Sequence, residues 1–120
     1  MVLAESHSHT NASTHAYSSF EEMVSYCIKN KIELLSITNH GPALPDSPHE
    51  WHFGNMRVLP RIIEGVYILR GIEANVLDIK GTLDLKEEYL KKLDLVIASI
   101  HSPTYEAKNY EAHTETYLNI

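Results

Sequence analysis

The sequence predicts an α/β protein built on a parallel sheet. Three observations carry that prediction. Short apolar stretches of strand length (Val2 to Glu5, Ile32 to Thr38, Val66 to Ala74 and Asp94 to Ile100) alternate with segments of helical periodicity. Each of the four strands runs into a side chain of metal-ligand type: His7-Ser8-His9, His40, Glu73 and His101. A length of 120 residues, 43% hydrophobic and 22% charged, suits one domain with a real core. A Gly-rich phosphate loop is absent, which leaves the doubly wound sheet and the barrel both open.

The elements follow in order. Val2 to Glu5 reads as a first strand. Ser18-Ser19-Phe20-Glu21-Glu22 offers two overlapping capping boxes, Ser18 with Glu21 or Ser19 with Glu22. Phe20, Met23, Val24, Cys27 and Ile28 then fall at i, i+3, i+4, i+7 and i+8, one buried face of a helix. Lys29 and Lys31 suit the negative end of its dipole. Ile32 to Thr38 is a buried strand, followed by a long loop from Asn39 to about Asn55 that carries Pro42, Pro45 and Pro48. Loops of that length in compact domains are often functional. Val58, Leu59, Ile62 and Ile63 predict a helix over Met56 to Glu64, opened or kinked by Pro60. Val66 to Ala74 is the next strand, with a turn at Asp78-Ile79-Lys80-Gly81. Asp84, with Glu87 three residues on, predicts the cap of a short helix ending near Leu93. Asp94 to Ile100 is the fourth strand, and a last helix begins near Ala112.

Composition narrows the function classes. Ten Lys and Arg against sixteen Asp and Glu give a net charge of −6, which argues against a nucleic-acid or anionic-membrane partner. One Cys forms no internal disulfide, so a stapled secreted scaffold is not expected. No apolar run approaches ~20 residues and no signal peptide is read, so the cytoplasm is the expected compartment. The unusual feature is 8 His.

In α/β folds the loops after the strand C-termini form the active site. His7, His9, His40, Glu73 and His101 are therefore expected on one rim, with His15 near enough in sequence to share it. A His-x-His pair at a strand end lets both imidazoles reach one ion, and a carboxylate can bridge two. Any one of these residues alone reads as a surface or core side chain; their repeated coincidence with strand ends is what points to a metal. His113 reads as a surface residue, whereas His49 and His52 fit either role.

His7-Ser8-His9-Thr10, Ile37-Thr38-Asn39-His40-Gly41, Gly71-Ile72-Glu73-Ala74-Asn75 and Ser99-Ile100-His101 resemble the successive motifs of the PHP (polymerase and histidinol phosphatase) superfamily. Ala12 to Ser18 and the loop Pro48-His49-Glu50-Trp51-His52-Phe53-Gly54-Asn55-Met56-Arg57 are similar to its phosphatase branch with a trinuclear zinc site. The resemblance runs from residue 2 to the end. It implies a distorted (βα)7, TIM-like barrel with three metals at the C-terminal rim, of which this chain corresponds to the N-terminal half. It implies that His7, His9 and Glu73 hold the first metal, Glu73 and His101 the second, and His15 and His40 the third. Another His and an Asp-x-His pair from later strands complete the family's site. Asn39 stands where the family usually has Asp, and Glu5-Ser6 where it has an Asp and a larger residue.

The function this implies is a metal-dependent phosphoesterase, in which clustered cations acidify a bound water and neutralise the phosphoryl oxygens. Zinc is the expected cofactor, with manganese or iron as alternatives, and the substrate is a small phosphorylated molecule. Arg57 and Arg61 either clamp a phosphate or are solvated charges. Two other readings stand beside this one: a non-catalytic metal-binding interaction module, and a histidinol phosphatase. Four strands leave open sheet edges, and Leu34, Ile37, Val96 and Ile97 lack an opposing wall, so self-association is expected.

Overall fold

The computed structural model describes residues 3–120. The expected α/β class is what it shows: a curled half-barrel of parallel strands with helices outside it. The elements are β1 (Ala4–Glu5), α1 (Phe20–Asn30), β2 (Leu34–Ile37), α2 (Glu50–Asn55), β3 (Ile62–Ile63), β4 (Val66–Asn75), α3 (Glu87–Leu90), β5 (Leu95–Ser99) and α4 (Tyr110–Asn119). Val2, expected in the first strand, lies outside the described residues.

β1 pairs with β2 and β2 with β4, all parallel. The ten residues of β4 serve three neighbours. Its first half pairs with β2 and, antiparallel, with β3; its second half pairs with β5 in parallel. Along β4 the side chains alternate between two environments. Val66, Ile68, Ile72 and Ala74 are buried in one cluster with Leu35 and Ile37 of β2 and Val24 and Cys27 of α1. The odd-numbered positions, Glu73 among them, face the inside of the curl. That alternation is why a carboxylate can end a strand whose other face is core.

α1 begins on the second of the two predicted boxes. Ser19 Oγ accepts from Glu22 N–H, and the Glu22 carboxylate accepts from Ser19 N–H. Lys31 closes the helix in the left-handed region at φ 57°.

The helix expected over Met56 to Glu64 does not form. α2 occupies the end of the presumed loop, a single 3-10 turn covers Met56–Val58, and Ile62–Ile63 is a strand. Pro60 explains the stop: the residue before proline avoids the helical region, and Leu59 sits at ψ 133°. Glu64 and Gly65, at φ 46° and 90°, then turn the chain back into β4. The cap expected from Asp84 also fails, since α3 begins after Lys86 with no side-chain cap. Asp84 instead reaches across to the end of β4 and the loop after β2. The last helix starts two residues before the expected Ala112, capped by Asn109, whose Oδ1 accepts from Ala112 N–H.

Candidate metal centre

The chain bends at His7, just after β1, and His7 and His9 both reach Glu73 while Ser8 between them turns to β2. Ser8 is pinned to β2: its N–H donates to Thr38 Oγ1 at 3.0 Å and its hydroxyl to Ser36 O at 2.5 Å. Both imidazoles are thereby directed at the end of β4. His40 arrives beside Glu73 through a parallel bridge that continues β2, with Gly41 N–H donating to Glu73 O and Glu73 N–H to Asn39 O. His101 follows β5, whose Ile97 is the register partner of Glu73.

The result is one buried carboxylate ringed by four imidazoles. Glu73 Oε2 lies 3.1 Å from His7 Nε2, 3.2 Å from His9 Nε2 and 3.1 Å from His40 Nδ1. Its Oε1 lies 3.4 Å from His101 Nε2. Two donors each ~2.1 Å from a tetrahedral ion are about 3.4 Å apart, so these separations suit atoms that share a cation. His7, His9 and Glu73 form one such group, and His40, Glu73 and His101 a second.

Electrostatics favour the same use. Burial, then the charge of His40, pushes His9 down to about 4, against the pull of Glu73. Burial also lowers His40. For Glu73, burial acts to raise the carboxyl, but hydrogen bonds from Ser99 and His7 outweigh it and hold it below the usual range. The centre at pH 7 is thus a carboxylate with His9 and His40 neutral, their lone pairs free. His9 Nδ1 and His40 Nδ1 are buried without a hydrogen-bond partner. Orphaned imidazole nitrogens around a carboxylate are a donor set that suits zinc, manganese or iron.

His15 is also brought in, its ring centroid 5.0 Å from that of His40 and 6.2 Å from that of His9. Its Nδ1 is held by Asp46, whose carboxyl this contact keeps below its ordinary range. Arg61 is not at the rim. It pairs with Asp94, and its carbonyl accepts from Ile68 N–H, five residues before Glu73 on β4. Arg57 is exposed and lines an open hollow of ≈ 540 Å³ with Trp51, His52, Gly54, Asn55 and Tyr89.

The ligands rest on polar supports, of which sequence reasoning singles out Asn39 without its partners. Asn39, fully buried, accepts from Thr10 N–H at 2.8 Å and donates to His52 Nε2 at 3.1 Å. Ser13 Oγ accepts from His40 N–H at 3.1 Å. His101 Nδ1 is 2.7 Å from Asn75 Oδ1. Thr10, Ser13, Asn39 and Asn75 all lie in stretches that resemble the family, but neither their partners nor the role of Asp84 is legible there, because those partners are distant in sequence.

The PHP domain family matches residues 5–119. The chain belongs to the PHP domain family. Curated relatives share about half its residues. A probable phosphatase of Acetivibrio thermocellus is 48% identical over 118 residues, covering 98% of this chain and 49% of that relative. Probable phosphatases of Shewanella frigidimarina and Shewanella pealeana are 50% and 48% identical over 117 residues, covering 98% of this chain and 47% of each relative. This PHP chain therefore spans about half the length of the curated relatives it matches. The carboxylate and its four imidazoles occupy the C-terminal ends of successive parallel strands of this PHP half-barrel.

Proposed function

We propose that this chain supplies the N-terminal half of a metal-dependent phosphoesterase site, with zinc as the metal. The observation that carries the proposal is that Glu73 belongs to two ligand groups at once, one with His7 and His9 and one with His40 and His101. The names of the relatives, probable phosphatases, support the reaction class. Cations bound there would supply an acidified water and neutralise charge on a phosphoryl group.

The chain's own residues do the rest. Glu73 is held at its backbone by bonds on both flanks. Its Oε2 meets His7, His9 and His40 while its Oε1 meets His101, so the one carboxylate is shared by both ligand groups. Asp46 holds His15 beside His40, where the resemblance places a third metal position. Arg57 has no carboxylate within ion-pair distance among the described residues, and we assign it the anionic end of the substrate in the Trp51 hollow. Arg61 is committed to Asp94, so it is not part of this assignment.

The test is elemental analysis together with hydrolysis of p-nitrophenyl phosphate on one sample, with and without a polypeptide supplying the C-terminal half of a relative. Metal bound by the chain, with turnover appearing when the halves are mixed and lost on chelation, is the expected result. Metal retained with no turnover in the mixture would mean a metal-binding module and would refute the enzymatic reading.

A further inference from the structure

On the side of His101 away from Glu73 lies a buried amide whose orientation is decided by its surroundings. Asn75 is fully buried at the end of β4. Its Nδ2 donates to Gly41 O at 3.0 Å and to Asp84 Oδ2 at 2.5 Å. Rotating the amide by half a turn would set Oδ1 against a carbonyl and a carboxylate, acceptor against acceptor. Oδ1 therefore faces His101 Nδ1, 2.7 Å away. An oxygen there only accepts, so Nδ1 carries the proton. Nε2 makes no hydrogen bond to Glu73, whose Oε1 lies 3.4 Å away, and keeps its lone pair on that side.

Asp84 is what closes this chain of consequences. Its Oδ1 accepts from Asn75 N–H at 2.8 Å and its Oδ2 from Ala43 N–H at 2.8 Å, tying the end of β4 to the loop after β2. No Lys, Arg or His forms an ion pair with it among the described residues, so its charge is met by N–H donors alone. Space for the carboxylate is reserved at Gly41, where a Cβ would overlap it. We infer that Asp84, acting through Asn75, is a positioning residue that fixes the tautomer of His101 and presents its Nε2 to the Glu73 site. The inference rests on the proposed reading only in giving that nitrogen a metal to bind.

The tautomer is read directly from long-range ¹H–¹⁵N spectra of the metal-free full chain near pH ~8, where an ordinary His is neutral. The His101 resonances are assigned by their loss in His101→Gln. The expected wild-type pattern is Nδ1–H with an unprotonated Nε2. Asp84→Asn turns an accepting oxygen into a donor facing donors, so a mixture containing the Nε2–H tautomer is expected. Gly41→Ala, which displaces the carboxylate without changing its chemistry, is expected to do the same. Zinc affinity should fall by ~10–100-fold in both, the usual cost of a lost support behind a ligand. An Nε2–H tautomer in the wild type overturns the inference, and so does a pure Nδ1–H pattern in both variants. Neither outcome depends on phosphate turnover, so the inference and the proposed function fail separately.

Discussion

His9 is neutral at pH 7 because burial, then His40, holds it at about 4. An unfolded His titrates near ~6.5, so between ~6.5 and about 4 the unfolded chain takes up a proton that the folded chain refuses. Stability therefore falls as pH drops through that window. The lowered His40 acts in the same sense, and the lowered Glu73 carboxyl adds a loss as it protonates. Thermal unfolding of metal-stripped chain should show a lower Tm at about pH 4.5 than at about pH 7.5, and His9→Gln should shrink the difference. A Tm that does not change over this range contradicts the assignment. Asn39 gives a second residue-scale prediction. Asn39→Asp replaces the amide that donates to His52 Nε2 with an acceptor, so that nitrogen must carry the ring's proton, and a charge is buried where an amide sat. That variant should lose ~1–3 kcal/mol in denaturant unfolding. A variant as stable as the wild type would show that this amide does not donate to His52.

At the scale of elements, α1 and β4 carry most of what was legible. The α1 box joins residues three apart, and its buried face repeats every turn, so local sequence suffices. Of the expected face, Val24 and Cys27 are buried and Met23 and Ile28 half-buried, while Glu21, Glu22 and Lys29 are exposed. Burial, then the charge of Glu5, raises the Cys27 thiol above its ordinary value. Cys27 should react with a thiol reagent only once the chain is unfolded; rapid native-state labelling contradicts this face. Ile68, 1% exposed between α1 and the sheet, should cost ~2–5 kcal/mol when cut to Ala in denaturant unfolding. Met56 to Glu64 was misread because Val58, Leu59, Ile62 and Ile63 fit a helical period as well as a turn followed by a hairpin. Pro60 and Glu64-Gly65 held the deciding information. The rim ligands were legible because each ends a strand, whereas Asn39, Asn75 and Asp84 act through partners brought together only by the sheet.

At the scale of the whole molecule the half-barrel is open. Its radius of gyration is 15.2 Å, against about 14 Å for a compact chain of this length. Among the described residues β1 pairs only with β2, and β5 only with β4, so each leaves one edge unpaired. Ile37, expected to lack an opposing wall, is instead 2% exposed in the core, because it lies on the face covered by the outer layer. Leu34 and Ile97 are half-buried, and Val96, in register with Ile72 on the outer face, is exposed, as are Tyr117 and Leu118 of α4. Sedimentation of the isolated chain should therefore show association, and Val96→Lys on the free-edge strand should reduce it. A monomer at all concentrations, in both proteins, contradicts this expectation. No helix among the described residues is long and apolar enough to cross a membrane.

The central claim is that one carboxylate joins two ligand groups, and zinc titration of metal-stripped chain by calorimetry tests it most directly. The wild type should bind zinc at both groups. Glu73→Ala should lose both together, whereas His7→Ala should weaken only the group of His7 and His9, and His101→Ala only the other. Unchanged zinc content in Glu73→Ala, or a loss no larger than that of a single His variant, would contradict the account.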